Sequence, residues 1–149
     1  FFMLGVRVML QSWKHEFLVE TFGSDDVMLT HLDGIVGLRI PLLPSFQVYL
    51  RIPVGLTMTT EPTNMLDVLE SRTGADWYLD FGTGWNVGLD LGAMYKVDER
   101  FALGVELSWL YVSLSQEGEV STLYDERLDW ERSFSFQQAA LGLNLIYTP

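Results

Sequence analysis

The sequence predicts an all-β fold, an antiparallel up-and-down barrel. Three observations point there. Apolar residues alternate with small or polar ones at a period of two through most of the chain, which is the signature of strands and not of helices. The runs are joined by breaks that are either short and turn-like or long and acid-rich. The glycines keep strand spacing instead of gathering in one loop. A length of 149 residues suits a single domain over residues 1–149, and no linker or fixed-period repeat divides it. The start at Phe1 reads as a mature or trimmed product, and the domain is expected to lack an N-terminal segment.

The first run has Phe2, Leu4, Val6, Val8 and Leu10 on one face, against Met3, Gly5, Arg7, Met9 and Gln11. Residues 32–40 follow, with Leu32, Val36, Leu38 and Ile40 against Asp33, Ile35, Gly37 and Arg39. The break Pro41-Leu42-Leu43-Pro44-Ser45 ends that run, as two prolines should. Residues 46–58 set Phe46, Val48, Leu50, Ile52, Val54, Leu56 and Met58 against Gln47, Tyr49, Arg51, Pro53, Gly55 and Thr57. The run at 85–97 is the clearest. It sets Trp85, Val87, Leu89, Leu91, Ala93, Tyr95 and Val97 against Asn86, Gly88, Asp90, Gly92, Met94 and Lys96. Trp77, Leu79 and Phe81 keep its parity, which predicts a strand starting near 76. After Asp98-Glu99-Arg100 the pattern restarts from Phe101 to Tyr111, a hairpin signal. The last run covers 134–147. Residues 59–75 and 116–132 are long acidic breaks, and 12–31 reads as a third. Six strands are therefore clear.

Alternation does not say which face is inside. The polar face carries Gly5, Gly37, Gly55, Gly88, Gly92, Gly104 and Gly142, which suits the crowded interior of a narrow barrel. Its charges balance: Arg7, Arg39, Arg51 and Lys96 against Asp33, Asp80, Asp90 and Glu106. Mutual ion pairing in a lumen accounts for that balance, because an isolated charge in a low-dielectric interior is costly. The apolar face has Trp85, Trp109 and Tyr111 at one end and Phe46, Tyr95, Phe101 and Tyr147 at the other. Membrane–water interfaces select aromatics at both ends of an aliphatic band. Pairing Val97 with Phe101 sets Gly92 opposite Glu106. Pairing Ile40 with Phe46 sets Gly37 opposite Tyr49, whose ring would cover it, and Arg51 diagonal to Asp33. A water-soluble barrel with these aromatics in its core is the competing fold.

With these residues in place, the chain resembles the bacterial outer-membrane β-barrel superfamily, in particular small barrels similar to the OmpA transmembrane domain and OmpX. The end of the chain carries the most specific part of the resemblance. Gly142, Leu145 and Tyr147 fit the steps of the terminal strand that the barrel-assembly machinery reads, whereas Ala140 departs from the polar position and Thr148-Pro149 trail after the aromatic. The hairpin from Gly84 to Leu114 is similar to the family's penultimate hairpin. The resemblance implies eight strands, long loops outside, and short turns and the C-terminus in the periplasm. It also implies outer-membrane lipid and lipopolysaccharide as surroundings. An extra strand pair would come from a strand at Lys14–Phe22 together with a break at Gly82-Thr83-Gly84, or from an N-terminal hairpin absent from this chain.

Composition removes several functions. A net charge of −11, from 20 acids and 9 bases, argues against nucleic acid as partner, since phosphate binding needs a basic face. Without Cys there is no disulfide framework, thiolate metal site or Cys nucleophile. His31 and Asp33 share a strand face as a base–orienter pair would, but no serine can be assigned to them. Asp90 and Glu106 are better read as ion-paired than as an acid/base pair. None of the family's deacylase, palmitoyltransferase or protease motifs is present, and no cofactor or metal site is expected. The expectation is a non-enzymatic barrel with a charge-paired, plugged lumen. It would serve the envelope structurally or bind a protein partner through its loops, as a subunit of a larger assembly. A channel component and a lipid-modifying enzyme are the alternatives.

Overall fold

A computed structural model describes residues 1–16, 24–60, 63–121 and 127–147. The chain forms β1 (Phe2–Glu16), β2 (Ser24–Leu43), β3 (Phe46–Thr59), α1 (Thr63–Thr73), β4 (Asp76–Leu79), β5 (Thr83–Lys96), β6 (Phe101–Ser121) and β7 (Arg127–Tyr147). All strands join one seven-stranded sheet in the order β1-β2-β3-β5-β6, with β7 on the far side of β6 and β4 also paired to β6. Every pairing is antiparallel. Among the described residues no helix is long and apolar enough to cross a membrane.

The alternating runs become strands because the pleat puts every second side chain on one face. The turns have local causes. Asp98 Oδ1 accepts the backbone N–H of Arg100 and of Phe101, at 2.7 and 2.8 Å, an Asx turn that reverses the chain between β5 and β6. Pro44-Ser45 reverses it between β2 and β3, with a bulge between Pro41 and Leu43. Because β2 runs through Pro41–Leu43 to a two-residue turn, the register past the bulge is offset by two residues from the expected one. Gly37 now faces Arg51, and Tyr49 faces Arg39. The β5–β6 register is as read, with Gly92 opposite Glu106.

The long breaks are shorter than they read. Strands β1, β2, β6 and β7 run on into residues 12–31 and 116–132. The break at 59–75 contains α1, which the sequence pattern does not announce. The helix stops at Gly74, whose φ of 66° only glycine adopts without strain. Glu70 and Thr73 then receive Trp77 through its backbone and indole N–H groups, so the helix leads directly into β4.

β4 and β5 lie along the same side of β6 as one interrupted strand. Paired numbers sum to 197 in β4 (Asp76 with Ser121) and to 198 in β5 (Thr83 with Ser115). A one-residue slip flips the face a strand presents. Trp77 and Leu79 therefore share the inner parity, with Leu79 fully buried, which corrects the expected continuity with the run at 85. The break at 80–82 is thus an interruption and supplies no extra hairpin. Of the proposed strand at 14–22, residues 14–16 end β1, and 17–22 lie outside the described residues.

The sheet curls with its polar face inside. Arg7 on β1 reaches Asp90 on β5 at 3.1 Å, and Asn144 on β7 reaches Tyr49 on β3 at 3.1 Å. Each bond spans strands that are not neighbours. Five antiparallel steps separate β1 from β7 along the sheet, so these two edges run antiparallel to one another. Among the described residues they form no ladder with each other.

Candidate functional site: the concave face and its two mouths

The inner face is built in three levels. The middle level is an ionic network. Arg7 on β1 faces Asp33 on β2 directly and binds its Oδ2 through Nε and Nη2, at 2.9 and 2.8 Å, a forked contact only a guanidinium makes. Its Nη1 bridges to Asp90. Arg51, directly opposite Asp90, joins the same carboxylate at 3.2 Å and also binds Glu106. Glu106 further accepts the Tyr49 hydroxyl at 2.6 Å, the Ser108 hydroxyl and the Asn144 amide. Asp33 and Asp90 are essentially buried, so the network stands only because its charges pair with one another; Asp33 Oδ1 and Asp90 Oδ1 have no hydrogen-bond partner.

Glycines make room for these long side chains. A Cβ at Gly92 would fall on the Tyr49 ring, and one at Gly55 on the Asp33 carboxylate. Tyr49 therefore covers Gly92 and not Gly37; Arg51 lies over Gly37 instead. Beside the network, His31 Nδ1 bonds the Thr57 hydroxyl at 2.8 Å, and Asn86 donates to the same oxygen at 2.9 Å. His31, Thr57 and Asn86 have no exposure. His31 and Asp33 do share the inner face, but Asp33 is engaged with Arg7 and not with the imidazole.

The network is smaller than the sequence suggests. Arg7, Asp33, Arg51, Asp90 and Glu106 are brought together. Asp80 is not: the interruption before β5 turns it away, and its carboxylate caps the N–H of Phe81 at 2.7 Å. Arg39 and Lys96 lie at the turn end of the sheet, beyond the carboxylates, and line a mouth there. The expected Arg51–Asp33 diagonal is absent, because the β2–β3 register sets Arg51 opposite Gly37 and Asp33 opposite Gly55.

Above the network the faces exchange character. Below Trp109 the outer residues of β6 are Phe101, Leu103, Val105 and Leu107, while Glu106 faces inward. Beyond Tyr111 the outer residues are Ser113, Ser115, Glu117 and Glu119, and the inner ones are Val112 and Leu114, both buried. β7 does the same, with Leu145, Leu143 and Leu141 outside at one end, and Ser135, Ser133, Glu131 and Asp129 outside at the other. Leu29, Leu110, Val112 and Leu114 form a buried apolar cluster, packed by Met9, Phe134 and Phe136 from both edge strands. Sequence reading missed this inversion by treating 116–132 as a loop. The signal was present in Val112, Leu114, Phe134 and Phe136.

The aromatics fall in two rows on the outer face. Trp85, Trp109 and Tyr111 lie where the faces exchange, with the Trp85 and Tyr111 rings 5.5 Å apart. Phe46 pairs with Tyr95, and Phe101 with Tyr147, at the turn end; the Tyr147 side chain is outside the described set. Gly142 faces Glu106, and Leu145 faces Leu103, so the expected assembly residues lie on the outermost strand. Past the upper row, β4, β6 and β7 form an acidic ribbon. Glu117 stands opposite Glu131, and Glu119 opposite Asp129, with Arg127 bridging Glu119. With Asp80, Tyr78 and Trp130 the four acids Glu117, Glu119, Asp129 and Glu131 border a cavity of about 410 Å³.

Among the described residues no three or more His, Asp or Glu are placed to hold a metal ion. The charges of the buried network bind one another. No family model, curated protein or solved structure matches the chain.

Proposed function

We propose that this chain is a non-enzymatic outer-membrane β-barrel with a plugged lumen, which anchors an acidic ribbon outside the membrane. The exchange of face character at Trp109 and Tyr111 carries this reading. On one side of that row the sheet is apolar outside and ionic inside. On the other it is polar outside and apolar inside. A sheet wholly in water has no reason to turn Leu103, Val105, Leu107, Leu141 and Leu143 outward over a buried ionic network. A wall that crosses lipid and then emerges into water needs both halves. From Phe101 to Trp109 the strand covers eight residue steps, roughly 20 Å of rise once tilt is allowed for, close to the ~25 Å apolar band of such barrels.

Backbone groups facing lipid must be paired, so β1 and β7 are closed in this reading by further strands. The two edges run antiparallel, so an even number fits, and one added pair gives eight. The bonds from Arg7 to Asp90 and from Asn144 to Tyr49 support a narrow closure over a wide one. The long connections would then face outside, the turns at Pro44-Ser45 and Asp98–Arg100 the periplasm, and lipid and lipopolysaccharide would surround the wall. Insertion would pass through the barrel-assembly machinery. The displayed ribbon suits an envelope-structural role or a protein partner in an envelope complex.

Lipid quenching tests the reading. In vesicles of brominated phospholipid, single-Trp variants keeping only Trp85 or only Trp109 are expected to be strongly quenched. Variants keeping only Trp77 or only Trp130 are expected to be unaffected. Equal quenching of all four, or of none, rejects it.

A further inference from the structure

We infer that the turn-end mouth of the sheet binds an anion, a phosphate group carried by a water-soluble ligand. The argument begins from how the bases are spent. Arg7 and Arg51 are consumed by the ionic network. Arg127 bridges Glu119, Arg132 lies over the Phe134 ring, and Arg72 is partnered as well. Arg39, Lys96 and Arg100 are left outside these contacts. All three line one cavity of about 440 Å³. A chain with a net charge of −11 thus gathers these three cations in one place.

The cavity is formed by the fold and is more than a patch on a flat surface. Met3, Gln47 and Met94 form its floor. They share the inner parity of Arg39 and Lys96 on four successive strands, and Gln47 is held by donating to the Met94 sulfur at 3.3 Å. Arg100 comes from the β5–β6 turn. Two carboxylates border the same space. Asp98 Oδ1 is turned to capping that turn, and the three bases outnumber Asp98 and Glu99 by one. Arginine forks and a lysine ammonium together match the several oxygens of a phosphate group. Phosphate groups also occur on lipid headgroups, but Arg39 and Lys96 lie on the inner face, away from the apolar band, which favours a soluble carrier. The cavity itself does not depend on the membrane reading. Only its placement on the periplasmic side does.

The test is calorimetric titration of the purified protein in zwitterionic detergent, at low ionic strength, with inorganic pyrophosphate as probe. Saturable binding is expected, weakened at least about tenfold in Arg39→Gln/Lys96→Gln and unchanged in Arg127→Gln, which removes a base from the opposite end. Circular dichroism checks that each variant is folded. No saturable binding by the parent protein, or equal binding by the double variant, overturns the inference. Equal weakening by Arg127→Gln also overturns it, because the effect is then general charge. Binding that persists in nanodiscs of phosphatidylglycerol supports a soluble ligand. Its disappearance there gives the site to a lipid headgroup and overturns the soluble assignment. Failure of this titration leaves the lipid-quenching pattern untouched, so the two proposals fail separately.

Discussion

Arg51 holds two carboxylates at once, Asp90 and Glu106. Removing it leaves Glu106 without a counter-charge and Asp90 with Arg7 alone, the situation in which breaking an ion pair costs most. Arg51→Ala is expected to destabilise the folded protein by about 3–5 kcal/mol, read as a lower urea midpoint in detergent. Glu106→Gln keeps the Tyr49 and Asn144 contacts within reach and is expected to lose less. Glycines give a second contrast at this scale. Gly92→Val drives a side chain into the Tyr49 ring and is expected to cost about 1–3 kcal/mol, as overpacking does. Gly5→Ala meets nothing closer than Ile35 Cβ at 3.9 Å and is expected to be neutral in the same titration.

At the scale of the element, β6 is the informative strand. Its outer face is aliphatic up to Trp109 and hydrophilic beyond Tyr111. Leu107 is exposed on the lower part. On a water-facing surface, Leu107→Arg would change stability by less than about 0.5 kcal/mol. On a lipid-facing one it is expected to cost about 2–4 kcal/mol. Ser115→Arg, on the outer face of the same strand above the aromatic row, is expected to have little effect. Reversible unfolding in lipid vesicles measures both, and equal effects would contradict the element's division. β4 and β5 show why parity is local. The break at 80–82 shifts the count by one, which turns Trp77 and Leu79 inward and removes Asp80 from the network.

At the scale of the whole molecule, the curled sheet is filled from both ends. The ionic network occupies the middle and the Leu29–Leu110–Val112–Leu114 cluster the loop end. A lumen packed in this way opposes a wide pore. Planar-bilayer recording is expected to show no steady, large conductance; such currents would indicate a channel. The charges also separate along the strands, with Arg39, Lys96 and Arg100 at the turn end and Glu117, Glu119, Asp129 and Glu131 at the other. Among the described residues, acids gather at one mouth and Arg39, Lys96 and Arg100 at the other.

The sequence by itself determined the strands and their faces, because a period of two is a local property that needs no neighbour to be read. Phe101 to Tyr111, the run at 85–97 and the Asp98 turn were legible for that reason, and so was the β5–β6 register, which follows from the length of a short turn. Helix α1 was not legible, since residues 63–73 lack a strong apolar stripe. Tertiary structure decided the rest. The β3–β5 register set Tyr49 over Gly92, the slip at 80–82 set the fate of Asp80, and the curl of the sheet brought Arg7 to Asp90. These outcomes depend on how strands separated by tens of residues are offset, and a one-residue offset reverses a face. Alternation encodes the faces; only the assembled ladder fixes which residues meet across them.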